Sequence, residues 1–437
     1  MRRRSSVAFG FLALIAVGAV LLASPWARAA GAWGDPVTAA FTACSAVCVT
    51  GLTVVDVASE YTRAGQVVLL ALVELGCLGL MTCGTFLMIA IGRRLSLTRE
   101  FTLMNAYGVA QVQGLRGLLF WIVGSMAAIE GLGALLLGWH FDDAYKGVFY
   151  SVMGFCNAGF SLSPDSLAPF ATDRLVLLTL AAETILGGIG FLVIYNLCTF
   201  KVLRRRGGGA RRFSLHTRVT LRFTLVLLAL AFAAFLAIEW NAALGAFSTV
   251  DRLVVGFYQA VTPRTCGFCV VPTETLQPLT RLVYEALMFI GGAPGSAAAG
   301  MKVTTFAVLI YTLTAMCRNE RETVIDRRVV PDDTVRESIV IFMAMVAFIA
   351  FVTGVLLVTE SRGGLTTDAL FFEAVSAVTT TGLAIGDTTA RLSVAGKVTI
   401  MAAMFFGRLG ALTVVMMIGD RESKSHVRYP TEELVVG

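Results

Sequence analysis

Four short polar stretches, SAVCVTGLTVVD, GFCNAGFSLSPD, VTPRTCGFCVVP and SAVTTTGLAIGD, recur along a chain that is otherwise mostly apolar. Their central glycines, Gly51, Gly159, Gly267 and Gly382, stand 108, 108 and 115 residues apart. That period is longer than a solenoid repeat and marks four copies of one unit. Each stretch follows roughly 12 to 15 helix-forming residues, too few to cross about 30 Å of hydrocarbon and typical of a re-entrant segment. Start signals precede the short helices: Asp35 with Pro36, the pair Asp142 and Asp143, Ser248 or Thr249, and Thr366 or Thr367. Each unit therefore reads as a long helix, a short helix, a polar loop and a second long helix.

Bilayer length enters because the residues are 57% hydrophobic and 15% charged, too little polar surface for a soluble domain to cover itself. The chain is expected to be an integral membrane protein, all-α. Apolar runs of spanning length include 223–238 and 339–358. The run 7–22 follows Arg2, Arg3 and Arg4 and has the look of a signal peptide, but the first unit is complete only if this helix is retained. Nine cysteines and three well-separated histidines are poor material for a zinc site or a disulfide framework. Cys44 and Cys48 read as small residues at a helix contact, and Cys266 and Cys269 lack the βαβ setting of a redox CxxC.

The unit boundaries expected are 1–92, 93–206, 207–320 and 321–420, with a cytoplasmic tail at 421–437. After each loop a small-residue element opens the second long helix, beginning at Gly76, Gly187, Gly291 and Gly407. Tight helix packing explains such elements in units one, two and four. Unit three differs. Its stretch Gly291, Gly292, Ala293, Pro294, Gly295, Ser296, Ala297, Ala298, Ala299, Gly300 cannot hold a regular helix, since glycine costs about 1 and proline about 3 kcal/mol at an interior position. It is expected to be an intramembrane loop beside a wet cavity, with Lys302 and Arg408 placing two positive charges near it. We read it as a gate. The basic residues divide about 23 to about 10 in favour of a cytoplasmic N-terminus, inter-unit loops and C-terminus. The cluster Arg204, Arg205, Arg206, Arg211 and Arg212 suits topology and anionic lipid contact, not nucleic acid.

Backbone that leaves helical bonding inside a membrane must line a cavity or be buried in protein. Four such loops around one axis supply carbonyl rings that replace a cation's hydration shell, and each glycine permits angles a Cβ would obstruct. The candidate filter is Val49, Thr50, Gly51; Asn157, Ala158, Gly159; Thr265, Cys266, Gly267; and Thr380, Thr381, Gly382. Short-helix C-termini aimed at the same point favour a cation further. Arg264 is expected to brace the third loop from behind or to sit at its outer mouth, because a fixed positive charge among the carbonyls repels the ion.

These features resemble the Ktr/Trk/HKT superfamily of potassium transporters. The resemblance is carried by four M1-P-M2 units (helix, pore helix plus filter loop, helix) around a pseudo-fourfold pore, NAGF at 157–160, RTxGF at 264–268, GGAPGSAAAG at 291–300 and an Arg after Gly407. It covers nearly the whole chain, and the length looks like the KtrB-type ion-translocating subunit more than the longer TrkH type. The resemblance implies potassium (K+) uptake across the plasma membrane by a homodimer with one pore per chain, under a cytosolic nucleotide-binding RCK-type subunit (KtrA-like). It implies no organic cofactor and leaves sodium (Na+) coupling open. In the plant branch a Ser at the first filter glycine accompanies sodium preference, so Gly51 favours potassium. Departures are Cys266 for the family's usual Ala and SAAAG for STAGG, which alters the hydroxyl and glycine content of the gate stretch.

Two other readings compete. A secondary transporter of a small solute using broken helices usually shows paired inverted repeats, whereas these four units share one topology. A membrane enzyme built on Cys266, Cys269 and Glu285 lacks a neighbouring histidine or paired carboxylate as base. Glu74, Glu183 and Glu285 stand at unequal offsets from the glycine elements and so form no ring.

Overall fold

The computed structural model describes residues 2–79, 115–206, 213–361 and 363–410. The linker 207–212 and the tail 421–437 lie outside the described residues. The order is α1 (Arg2–Ala23), α2 (Pro36–Val47), α3 (Val57–Glu60), α4 (Arg63–Leu78), α5 (Leu115–Phe141), α6 (Ala144–Phe155), α7 (Arg174–Ile189) and α8 (Phe191–Arg206). It continues with α9 (Leu215–Glu239), α10 (Thr249–Val261), α11 (Pro278–Phe289), α12 (Val303–Cys317), the hairpin β1 (Val324–Ile325) and β2 (Arg328–Val329), α13 (Asp332–Thr359), α14 (Thr367–Thr379), α15 (Thr388–Arg391) and α16 (Val394–Leu409). Three described helices, α5, α9 and α13, are long and apolar enough to cross a membrane, four if α7 and α8 count as one bent span.

The short helices α2, α6, α10 and α14 begin where cap chemistry dictates. Asp35, Asp143, Ser248 and Thr366 each accept a bond from a backbone N–H of the first turn, satisfying a donor that has no partner within the helix. Hydrogen bonds from the Thr38 hydroxyl and amide hold the exposed Asp35 carboxyl below its usual range. These helices are the inside of the molecule. In α14 ten of thirteen residues are buried, whereas the longer α13 buries five of twenty-eight and leaves Phe351 and Val358 bare on an apolar outer face. An apolar exterior around a polar-lined interior is the arrangement a bilayer selects.

Polar contacts close the repeats into a ring. The Tyr145 hydroxyl donates to Gln66 Oε1 (2.7 Å), Arg174 pairs with Asp251 (2.8 Å), and Arg281 pairs with Asp368 (3.2 Å). The ring returns through Cys44 Sγ to the Met401 carbonyl (3.5 Å).

The small-residue elements have two functions where packing was expected to explain most of them. A Cβ at Gly76, Gly187 or Gly407 would stand 2.9, 3.0 or 2.9 Å from the carbonyl carbon of Val47, Phe155 or Val378 at the end of a short helix, so the first glycine of each element does serve close packing. Three residues later, Gly79, Gly190 and Gly410 adopt φ of +72°, +89° and +85° and end α4, α7 and α16. At Gly190 the axis bends by 99°. The helix therefore stops at this level in units one, two and four as well as in unit three. Packing was a sufficient reading of small residues in sequence, but φ is set by where the chain must turn.

Candidate pore and intramembrane loop

The four short helices end just before the glycine loops, and the loops meet. An ideal Cβ on Gly51 would stand 3.1 Å from the Gly159 Cα, one on Gly159 3.1 Å from Gly267 Cα, one on Gly267 3.2 Å from Gly382 Cα, and one on Gly382 3.2 Å from Gly51 Cα. In each case the nearest atom is the carbonyl oxygen of the residue before the next glycine: Ala158, Cys266, Thr381 and Thr50 in turn. The ring is closed and leaves no room for side chains, which is why glycine recurs. All four have φ between +68° and +89°.

Two positions earlier the chain is left-handed again, at Val49 (φ +55°), Asn157 (+58°), Thr265 (+71°) and Thr380 (+49°). A β-branched residue in this region is strained, and surrounding bonds hold it there. The amides of Gly51 and Gly382 both donate to a serine hydroxyl six residues back, Ser45 and Ser376, at 3.1 Å. The third loop is built differently. Its short helix ends at Val261, and the Thr262 hydroxyl donates across the turn to the Phe268 carbonyl (2.5 Å). Just below the ring, Thr50 Oγ1, Thr265 Oγ1, Thr380 Oγ1 and both polar side-chain atoms of Asn157 are buried without a hydrogen-bond partner.

Above the ring opens a funnel of about 590 Å³ with the four glycines on its floor. Its wall carries one carboxylate from each repeat, Asp56, Asp165, Glu274 and Asp387. Sequence reasoning missed this set, although the acids follow the glycines by five to seven residues and three of them end the quoted loops. Glu74, Glu183 and Glu285 do not line the funnel. Cys266 is buried beside the Thr184 hydroxyl (3.2 Å), while the Cys269 thiol turns to the Val271 carbonyl (2.6 Å), so the two sulfurs serve different neighbours.

Residues 291–302 form an irregular loop, four of whose amides, those of Gly291, Ala293, Ala297 and Met301, donate to backbone carbonyls. Gly291 N–H donates to the Met301 carbonyl (3.0 Å) and Val303 N–H to Gly292 (3.0 Å). Ala293 and Ala297 donate to the carbonyls of Gly188 (2.9 Å) and Gly187 (3.1 Å), and the Phe191 amide donates to Gly295 (3.0 Å). The third repeat's loop thus docks on the α7–α8 break of the second, where Pro294 and Gly295 carbonyls approach Gly190. The Ser296 hydroxyl donates to the Ala293 carbonyl (2.7 Å). Gly300 turns at φ +70°. Lys302 Nζ donates to the Ala298 carbonyl (2.6 Å), and Ala299 packs behind Gly291.

Arg408 ties three repeats together. Its Nη1 donates to the Ala297 carbonyl (2.6 Å) and its Nη2 to the Gly76 carbonyl (2.7 Å). Among the described residues it forms no ion pair, so a structural partnership with a neighbouring Glu is not what holds it. Arg264 is buried behind the third loop, and its Nη2 donates to the Gly291 carbonyl (3.3 Å). It does not line the funnel, and its bond reaches the 291–302 loop in place of the filter loop it was expected to brace.

The family model described as TrkH, cation transport protein, matches residues 22–428. The chain is 35% identical to the Ktr system potassium uptake protein B of Bacillus subtilis (strain 168) over 99% of its own length and 96% of that protein's. It is 34% identical to the protein of the same name from Vibrio alginolyticus, covering 99% and 94%. The potassium/sodium uptake protein NtpJ of Enterococcus hirae is 31% identical, covering 99% and 96%. The fold is similar to the crystal structure of the potassium transporter TrkH from Vibrio parahaemolyticus, with a TM-score of 0.72 at 15% identity over 94% of this chain and 83% of that one.

Proposed function

Because this chain belongs to the TrkH family of cation transport proteins, we propose that it takes up potassium across the plasma membrane through the ring of Gly51, Gly159, Gly267 and Gly382. The closed ring of glycines carries this reading. Carbonyls contributed by four repeats can replace a cation's hydration shell, and the negative ends of four short helices lower its energy at the same point. The four carboxylates of the funnel raise the local concentration of cations above the ring. Relatives named as potassium uptake proteins, and Gly51 at the position where the plant branch's sodium preference goes with Ser, support potassium as the cargo. The relative named a potassium/sodium uptake protein makes sodium the ion to test beside it.

The loop 291–302 is the gate in this reading. Closed, it is held to the second repeat by three amide bonds and to Arg408 through the Ala297 carbonyl. A partner that binds the open arrangement more tightly shifts the equilibrium toward it. We assign that role to a cytosolic nucleotide-binding RCK-type subunit acting on a homodimer, with both termini of each chain cytoplasmic, in keeping with the basic bias of the inter-unit loops. The units 1–92, 93–206, 207–320 and 321–420 remain the division that fits this mechanism.

Ion flux into proteoliposomes, with and without the cytosolic subunit, tests both parts. Gly51→Ser is expected to reduce discrimination against sodium, and deleting residues 297–299 to raise partner-independent potassium flux. Unchanged selectivity in the first variant counts against a coordinating ring, and unaltered or abolished flux in a folded deletion variant removes the gate.

A further inference from the structure

Outside the ring, three side chains from two repeats converge between α4, α5 and the end of α6. A carboxylate oxygen of Glu74, one of Glu130 and the Sγ of Cys156 all lie within 4.8 Å of one another. The Cys156 thiol stands 3.6 Å from Glu130 Oε1. Cys77, three residues beyond Glu74, is on the same side of α4 but outside this set of mutually close atoms. Glu130, Cys77 and Cys156 are buried and Glu74 is half-buried. Neither carboxylate forms an ion pair among the described residues.

Two carboxylates this close, away from water and without a basic partner, do not both stay charged on their own. They share a proton or they hold a cation. Sulfur beside the pair decides which cation would fit. Hard ions such as Ca2+ or Mg2+ take six or more oxygens, whereas a borderline divalent ion accepts thiolate and carboxylate together. Around tetrahedral Zn2+, oxygens at about 2.0–2.2 Å and sulfur at about 2.3 Å place ligand atoms roughly 3.3–3.8 Å apart, which small side-chain rotations reach from the observed separation.

We propose that Glu74, Glu130 and Cys156 form a three-ligand binding site for a borderline divalent cation of the Zn2+ class, with the fourth position left to water. The two carboxylates and the Cys156 thiolate give the ion three anionic ligands. Its entry releases to solution the proton shared by the carboxylates and the thiol proton of Cys156, so binding strengthens as pH rises. Cys156 closes α6 immediately before Asn157, and Glu74 lies two residues before Gly76, which packs on the first short helix. An occupied site therefore ties the first repeat's α4 to the back of the second glycine loop. This site does not depend on the identity of the transported ion.

Cd2+ titrated into the purified full-length protein in detergent, under a non-thiol reductant, reads the site through thiolate-to-metal ultraviolet absorption. The competing thiol pair is Cys44 and Cys48, with sulfurs 4.0 Å apart. We expect the saturable signal to survive Cys44→Ser, to vanish in Cys156→Ser, and to weaken at least about tenfold in Glu130→Gln, since loss of even a supporting partner costs metal sites about 10–100-fold. A signal abolished by Cys44→Ser and retained in Cys156→Ser overturns the proposal. So does no metal-dependent absorption at all. If the variants do not fold, X-ray absorption of the Zn2+-loaded unmutated protein decides. A mixed sulfur and oxygen shell supports the site, and a shell of one element alone rejects it.

Discussion

Replacing Gly267 by Ala probes the ring through two separable costs. At φ +80° an L residue is in the left-handed region, at about 1–2 kcal/mol. The new Cβ would also stand 2.5 Å from the Thr381 carbonyl oxygen, where ordinary contact begins at 3.4 Å, so that oxygen must retreat by about 0.9 Å. Overpacking of this kind costs about 1–3 kcal/mol. The sum is on the order of 2–5 kcal/mol. Gly364 supplies the control, because its φ is +69° and nothing lies within 4 Å of its would-be Cβ, leaving only the first cost. Apparent melting midpoints of the purified variants, measured at one heating rate because membrane proteins unfold irreversibly, compare stability. Potassium and sodium flux in proteoliposomes compare function. Gly364→Ala should transport like the parent, whereas Gly267→Ala should melt lower and lose selectivity as the Thr381 oxygen leaves the ring. If the two variants behave alike in both assays, the ring is not the close-packed structure described.

Arg408→Gln removes the charge and weakens the bonds to Ala297 and Gly76, so potassium flux without the cytosolic partner should rise at matched expression; unchanged flux rules out a barrier role. Glu239 is fully buried and accepts from the Gln277 amide (2.8 Å), the Thr280 hydroxyl (2.5 Å) and the Ala243 amide (3.3 Å). Glu239→Ala should therefore cost on the order of 1–3 kcal/mol for each donor left bare, and Glu239→Gln much less; equal thermal stability of the two would refute it. Asp35 ionises more readily in the native state than its usual 3.8. Its contribution is full above that pH and fades as pH falls through the lowered native value, so the parent should lose more stability than Asp35→Ser between about pH 5 and pH 3 in acid-denaturation curves.

Much of the candidate pore's local structure was legible because its signals are local. Cap residues at Asp35, Asp143, Ser248 and Thr366 announce the short helices without reference to anything distant, and a glycine demanded by a tight ring reappears once per repeat. A ring around one axis was expected from the repeat, but how tightly successive loops press on one another was not legible, since each glycine's crowding partner lies more than a hundred residues away or at the other end of the chain. The breaks at Gly79, Gly190 and Gly410 were misread for the same reason. A small residue at a helix contact and one at a helix end have the same letter, and only the backbone angle separates them.

By itself the amino-acid sequence determined the class, an apolar-faced helical membrane protein, and the fourfold repeat, because both follow from hydrophobic runs and periodicity within short windows. Tertiary structure decided which polar groups meet. Arg408 is 111 residues from Ala297 and 332 from Gly76, yet it bonds both carbonyls. Glu130 meets Glu74 only where two repeats pack together, and Cys156 only where its own repeat folds α6 back on α5. Buried polar groups must find partners wherever the packed helices bring them, and those partners are set by the shape of the whole assembly.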